Sequence, residues 1–462
     1  MKNRRVPNLL FVLADQLRAS SVGYAGEEAV RTPTIDRLSA EGATFKNAVS
    51  MLPVCGPYRG ALLTGRTPVS TGLVLNDIAL KTTEVSIGHC FKAGGYQTAY
   101  VGKWHLDGPD RRAPVPPGPR RQGFEHWMAA NFDHNYNASR YTDNDGNLRV
   151  WGGWDAEAQT THVIDYLAAR DSDDPFCVFL SWGPPHHPYR LVAQHYLDMY
   201  DAAAIEGRPN CPDVPRQDLK GYYAQTTFLD DQLARLLAAL DDMGLAEDTI
   251  VVFTSDHGDM HGSHGVYKKQ WPWNEALKVP FVLRYPRAVA AGTGIAAPIN
   301  VIDVMPTLLG LAGLPIPDSV EGIDLSALVT GRGGTAPHSV LIMNPCPFSI
   351  GDPRGDDQYP DFRGMRLEYR GVVSERYTYV QTIDRPWLLY DNLDDPYQMR
   401  NLVDDPAKAP LRERLTAMMA EHLGRIGDRF LPRQAYYKRF AIDIDHRGKV
   451  AGIVENMYDR AG

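Results

Sequence analysis

The sequence predicts an α/β protein: a mostly parallel sheet sandwiched by helices, followed by a smaller C-terminal α+β domain containing a short antiparallel sheet. Three observations carry this. Short apolar runs alternate with helical patterns through the first half of the chain, the texture of strands joined by crossover helices and covered on both faces. From about Ser339 the texture changes to short alternating runs, as in antiparallel strands. The chain has 462 residues, more than the about 250–300 at which chains usually divide into domains. The Gly/Pro-rich stretch Gly331–Pro337 supplies the boundary, giving domains 1–335 and 336–462.

Taken in order, Leu9–Leu13 reads as a buried strand and Thr34–Glu41 as a helix with Ile35 and Leu38 on one face. Thr98–Val101 and Phe176–Ser181 read as strands, and Ala156–Arg170 between them as a helix with Asp155 placed to cap it. Leu219–Leu240 is the clearest helix: Tyr222, Thr226, Leu229, Leu233, Leu236, Leu237 and Leu240 recur at three- and four-residue steps. That periodicity turns Asp230, Asp231 and Arg235 away from the core. Ile250–Phe253 and Val279–Leu283 add strands and Asp303–Leu311 a helix. Gly371–Val373 and Tyr377–Gln381 form the small antiparallel sheet, and Leu411–Arg425 a closing helix. The Pro- and Arg-rich run Arg111–Arg121 reads as a surface loop.

Composition excludes several functions. Lys+Arg number 48 against 56 Asp+Glu, a net charge of −8, and 44% of residues are apolar and 23% charged. These are ordinary values for a globular chain; they exclude disorder, collagen and coiled coil. No domain-sized basic excess exists to meet a phosphate backbone, so nucleic acid is excluded as a partner. No apolar stretch approaches the ~20 residues of a membrane span. Met1–Arg5 is basic and Leu9–Ala14 apolar, but the run is short and leads straight into Asp15, so it reads as a strand rather than a leader. The expectation is a cytoplasmic enzyme as written, or a secreted or periplasmic one if a leader was removed. The cysteines, at 55, 90, 177, 211 and 346, are odd in number and form no CxxC pair. Neither a disulfide framework nor a zinc ribbon is indicated.

In open α/β sheets ligands bind at the carboxyl ends of the strands, and here those ends carry polar clusters. The first strand ends in Asp15-Gln16 and the second in Gly102-Lys103-Trp104-His105. Phe176–Ser181 runs into Pro184-Pro185-His186-His187-Pro188, and Ile250–Phe253 into Ser255-Asp256-His257-Gly258-Asp259. Acids, histidines and lysines converging at equivalent places suit a metal that holds an anion. Pro53–Arg59 adds Cys55 at or just before a helix N-terminus, with Pro57 at a first helical position, where amides and the helix dipole favour negative charge.

The residues Cys55-Gly56-Pro57-Tyr58-Arg59, followed by Leu62-Leu63-Thr64-Gly65-Arg66, resemble the signature of the type I sulfatases of the alkaline phosphatase superfamily. The resemblance extends over most of the chain. It takes in Thr32–Leu38, Gly102-Lys103-Trp104-His105, Pro185-His186-His187-Pro188, Ser255-Asp256-His257-Gly258, and Leu389-Tyr390-Asp391 with Asp394-Asp395-Pro396 and Asn401-Leu402. It implies that Cys55 is oxidised to formylglycine by a formylglycine-generating enzyme, and that the hydrated aldehyde attacks sulfur in line. It implies one divalent cation, Ca2+, held by Asp15, Gln16, residue 55, Asp256 and His257. Gln16 and His257 depart from the Asp and Asn of many relatives, a combination similar to carbohydrate, choline and phosphonate-type branches.

By the same resemblance Arg59, Lys103 and Lys269 hold the sulfate oxygens and the diol. His186 protonates the leaving oxygen, with Lys269, and His105 deprotonates the second hydroxyl so that sulfate is expelled. His257, His261 and His264 are spaced as a zinc site could be; His261 reads as a loop histidine and His264 as a substrate-pocket residue. His134 lines the substrate rim, His187 reads as a loop neighbour, and Lys268 as solvated. Trp104, Trp127, Trp151, Trp154, Trp271 and Trp273 fall in predicted loops, where rings can stack on sugars. The expected function is hydrolysis of a sulfate monoester on a saccharide or other small molecule. The alternatives are a phosphonate monoester or phosphodiester hydrolase with the same nucleophile, and a non-catalytic metal-binding protein.

Overall fold

The computed structural model describes residues 6–348, 368–445 and 450–451; Met1–Arg5 lie outside them. A ten-stranded sheet runs through the first part of the chain. Its middle is the strand Asn8–Ala14, buried along its whole length, which pairs in parallel with Phe176–Ser181 on one side and Thr249–Ser255 on the other. Gln97–Lys103 and His126–Ala130 continue the parallel set, and Phe281–Arg284 pairs antiparallel to Thr249–Ser255.

Burial on both faces explains the unbroken apolar run Leu9–Ala14, since side chains alternate across a strand. Leu9, Phe11 and Leu13 enter one core, and Leu10, Val12 and Ala14 the other. Over the first core lie Cys55–Thr64, a helix buried at every residue, and Val301–Ala312. Over the second lie Pro33–Glu41, Asp155–Ala168 and Arg216–Asp242. The C-terminal sheet is four antiparallel strands, Ser339–Asn344, Tyr369–Ser374, Tyr377–Thr382 and Pro386–Asp391. Ala409–Ile426 packs on it, and Leu341, Val372, Tyr379 and Met419 join the first core. Among the described residues no helix is long and apolar enough to cross a membrane.

Several expectations are corrected. Cys55 is the first residue of its helix and Val54 the N-cap, so Pro57 stands third. Asp230 does not face away: it is fully buried, and its carboxylate accepts the amides of Thr34 and Ile35 at 3.0 and 2.7 Å, closing the start of the Pro33–Glu41 helix. The tryptophans are largely core. Trp104 and Trp127 are 0% exposed and pack edge to face at 5.0 Å, Trp127 lying on a strand. Trp151 stacks on Tyr141 at 4.0 Å.

Asp155 is the first residue of its helix rather than the cap, and Trp154 holds the cap position. Its Oδ2 accepts from Ser139 Oγ at 2.9 Å, while Oδ1 is buried without a hydrogen-bond partner among the described residues. Burial pushes this carboxyl up to about 7. A folded value above the unfolded one favours the protonated form, so its contribution is full below pH 4 and is lost as pH rises through 7. Asp155→Asn is therefore expected to flatten the fall in stability between pH 4 and 8, by up to about 4 kcal/mol. Urea midpoints of the two proteins across that range check this; parallel curves would contradict it.

Candidate active site

Four strand ends and one helix start deliver the site. Gly102 shows why the backbone is so particular there: its φ is +101°, and a Cβ would come within 2.0 Å of the Ser181 carbonyl. Only glycine lets the strand turn and bring Lys103 under the sheet edge. Non-glycine residues held at positive φ flank the same clusters, namely Gln16, His105, His261, His264, Lys268 and Gln270. Strained backbone of this kind concentrates at functional sites.

Cys55 Sγ is the hub. It lies 2.9 Å from Lys269 Nζ, 3.2 Å from His257 Nε2 and 3.8 Å from Asp15 Oδ1. Asp15, Cys55, Asp256 and His257 are all buried and offer ligand atoms within 4.8 Å of one another. Asp256 Oδ1 accepts the amides of Gln16 and His257, each at 2.9 Å. His257 Nδ1 donates to the Gly258 carbonyl at 2.9 Å, which leaves Nε2 with its lone pair toward the cluster. The Gln16 amide donates through Nε2 to Asp259 at 2.6 Å, and its Oε1 is buried with no hydrogen-bond partner among the described residues. Two carboxylates, an imidazole and the Cys55 sulfur form a donor set that fits one divalent cation, and Gln16 next to Asp15 carries an unpartnered buried amide oxygen.

Cations surround this set. Lys103 Nζ pairs with Asp15 Oδ2. Arg59 reaches Asp15 and Asp256 through Nη2 at 3.1 and 3.2 Å, and through Nη1 the Lys103 carbonyl at 2.9 Å and Ser181 Oγ at 2.6 Å. Lys269 Nζ also touches His186 Nε2 at 3.1 Å and His257 Nε2 at 3.3 Å. Three permanent cations thus face two carboxylates, a surplus that suits an anion.

Electrostatics follow from these contacts. Burial and Asp15 push the Cys55 thiol up, but the ammonium groups of Lys103 and Lys269 hold it well below the ordinary thiol range. Burial opposes ionisation of Asp15 too, and Lys103 and Arg59 overcome it, so Asp15 stays well below the usual carboxylate range. Asp256 is raised by burial and by Asp15 beside it. Burial and the Lys269 ammonium hold His186 well below the usual imidazole range, hence neutral.

Sequence reasoning did not find the residues that aim these groups. Asp77 Oδ1 lies 3.2 Å from His105 Nε2, and Arg111 clamps the same carboxylate at 2.6 and 2.7 Å. Phe132 lies under Lys103 Nζ at 4.3 Å and beside the His105 ring at 4.8 Å. Tyr189 donates to Asp259 at 2.5 Å and so supports Gln16. His134, which the sequence does single out as a rim residue, stacks on His186 at 4.3 Å.

The spacing-based zinc alternative is overturned. His257 turns to Cys55, His261 packs between Tyr222 and Tyr189 with Nε2 3.5 Å from Asp259, and His264 stacks on Trp273 at 4.7 Å. Among the described residues the three form no common ligand group. The His264 ring also meets Asn210 at 3.2 Å, and neither partner belongs to the Cys55 cluster.

A doubly covered α/β sheet with a buried, cation-rich cluster of carboxylates and imidazoles at its strand ends has the parts of a hydrolase that handles a tetrahedral oxyanion. Residues 7–314 match the family model Sulfatase. The chain is 41% identical over 443 residues to the ulvan-active sulfatase of Formosa agariphila, covering 94% of this chain and 84% of that protein. It is 29% identical over 486 residues to the endo-4-O-sulfatase of Bacteroides thetaiotaomicron, covering 91% and 92%. A solved structure described with the metabolism of multiple glycosaminoglycans by Bacteroides thetaiotaomicron superimposes with a TM-score of 0.83 at 28% identity, covering 95% of this chain and 99% of that one. The chain belongs to the sulfatase family, within the alkaline phosphatase superfamily, and is a sulfuric ester hydrolase.

Proposed function

We propose that the enzyme hydrolyses a sulfate monoester on a carbohydrate, using formylglycine made from Cys55 by a formylglycine-generating enzyme, and one Ca2+. The observation that carries this reading is the position of Cys55 Sγ. It touches the carboxylate–imidazole set on one side and Lys269, in turn bonded to His186, on the other. Nucleophile position, cation cage and leaving-group side therefore meet at one atom. The carbohydrate follows from relatives named for ulvan and for 4-O-sulfate.

Asp15, Asp256, His257, the Gln16 carbonyl oxygen and residue 55 would hold the cation, and oxygen-rich donors of this kind favour Ca2+. When present, the cation and the hydrated aldehyde supply an activated hydroxyl nucleophile. Lys103 and Lys269 set ammonium groups on two sides of residue 55 and neutralise the sulfate oxygens. Arg59 has both Nη atoms engaged by protein acceptors, so we assign it the positioning of Asp15 and Asp256 rather than a grip on sulfate.

His105, its carbonyl close against Gly56 and its Nε2 tied to Asp77, is the base for residue 55. The proton for the leaving oxygen resides on Lys269 Nζ, whose hydrogen bond to neutral His186 makes the two one donor system. His134 lines the leaving-group side. His264 contacts Trp273 and Asn210, and we give it no part in the chemistry.

Because Lys269 and His186 share a proton, their removals are expected not to add. Lys269→Ala and His186→Ala should each lower kcat/KM by about 10²–10⁴, and the double variant little further. A multiplicative loss would separate the two roles. The function itself is tested by sulfate release from a panel of defined sulfated saccharides, with an aryl sulfate and an aryl phosphonate of matched leaving group alongside. Preference for the phosphonate would make the chain a phosphonate hydrolase instead.

A further inference from the structure

Next to Cys55 lies a set of side chains that the proposed reaction uses only in part. The rings of His134 and His186 are 4.3 Å apart, those of His186 and His187 4.3 Å, and those of His134 and His187 5.0 Å. Each offers one ring nitrogen, and the three nitrogens lie within 4.8 Å of one another. A tetrahedral zinc site with about 2.1 Å Zn–N bonds needs its nitrogens roughly 3.4 Å apart, a distance that small side-chain rotations close.

Hydrogen bonding has already sorted the tautomer of the middle ring. His186 Nδ1 donates to the His187 carbonyl at 2.9 Å, and Tyr136 OH donates to the His186 carbonyl at 2.9 Å. His186 Nε2 therefore carries the lone pair, and its partner at 3.1 Å is the Lys269 ammonium. His187 Nδ1 is buried without a hydrogen-bond partner among the described residues. The ligand type selects the ion. Three imidazoles without a carboxylate suit late first-row cations, whereas Ca2+ requires oxygen.

We propose that His134, His186 and His187 form a second metal site, for Zn2+ or a related late first-row divalent cation, and that filling it stops turnover by taking the His186 lone pair away from Lys269. The site stands on geometry alone; the inhibition rests on the role proposed above for His186. Lys269 keeps its contact with residue 55 in the filled state and loses its second partner on the leaving-group side.

The test uses the matured enzyme saturated with Ca2+. Zn2+ binding is measured by calorimetry, Co2+ binding by absorption, and turnover at each Zn2+ concentration is expressed against the same protein's Ca2+-loaded, zinc-free rate. The expected result is Co2+ with visible ligand-field bands and no near-ultraviolet thiolate charge transfer, displaced by Zn2+, with turnover falling in step. Loss of an outer-shell partner alone costs a metal site 10–100-fold. His187→Gln, which loses a ligand, should therefore weaken Zn2+ by more than about tenfold and make turnover correspondingly insensitive. His134→Gln should do the same, with melting curves confirming that both variants fold. Zn2+ binding undiminished in both variants, or a cobalt spectrum dominated by thiolate, overturns the site. Tight, His187-dependent Zn2+ binding with undiminished turnover overturns the inhibition and, with it, the role of His186.

Discussion

Cys55→Ala is expected to lower sulfate release by roughly four to six orders of magnitude, the scale seen when a covalent nucleophile is removed, while the protein stays folded. Cys55 is 0% exposed, but the change removes a single sulfur atom at a helix start whose other residues keep their packing. Lys269 retains His186 and His257 as partners, so no ammonium is stranded. Sulfate release and a melting curve measured on the same preparation check both halves. Appreciable turnover in the variant would remove residue 55 from the nucleophile's place. Mass spectrometry of the peptide around residue 55 in the parent enzyme supplies the companion result: formylglycine is expected, and an unmodified thiol in protein matured by a competent host would refute the hydrolytic mechanism.

The second large effect is on stability. The Arg59 guanidinium, 1% exposed, bridges Asp15 and Asp256, both 0% exposed. Taking one partner from a buried ion network leaves uncompensated charge and costs about 3–5 kcal/mol. Arg59→Met keeps much of the volume and removes the charge; Asp15 keeps Lys103, so the cost falls mainly on Asp256 and on the Lys103 carbonyl and Ser181 hydroxyl that lose their donor. Added Ca2+ should return part of the loss, because a ligand that binds only the folded state stabilises it by mass action. Urea unfolding of parent and variant, with and without Ca2+, reads this directly. A loss under about 1 kcal/mol, or no larger response to Ca2+ in the variant, would show that the network is not electrostatically tight.

How much of this was legible in the sequence depended on the range over which a residue acts. Asp15, Lys103, His105, His186, Asp256 and His257 stand at the ends of apolar runs, and that position is a local signal. Helix and strand interiors were legible for the same reason: Leu219–Leu240 lies within the observed Arg216–Asp242. Asp77 was illegible because it is recognised only through His105, 28 residues away, and Arg111, 34 residues away. Asp230 was misread because periodicity assumes a polar residue faces water, whereas here the start of another helix docks on it. Trp127 was misplaced in a loop because the short run His126–Ala130 carries little strand signal of its own. Arg59 shows the remaining limit: a motif singles it out, but only the geometry reveals that it contacts the carboxylates of Asp15 and Asp256.

The order of strands in the large sheet also sets a clock. The central strand Asn8–Ala14 waits for neighbours at Phe176–Ser181 and Thr249–Ser255, and the pocket closes over Cys55 only with that last strand and Lys269 beyond it. On a ribosome adding 5–20 residues per second, the roughly 200 residues between Cys55 and Thr249–Ser255 take about 10–40 s to emerge. During that interval the cysteine lies on an unclosed chain; afterwards it has no exposed surface. The oxidation of residue 55 proposed above therefore has this interval in which to reach an open cysteine.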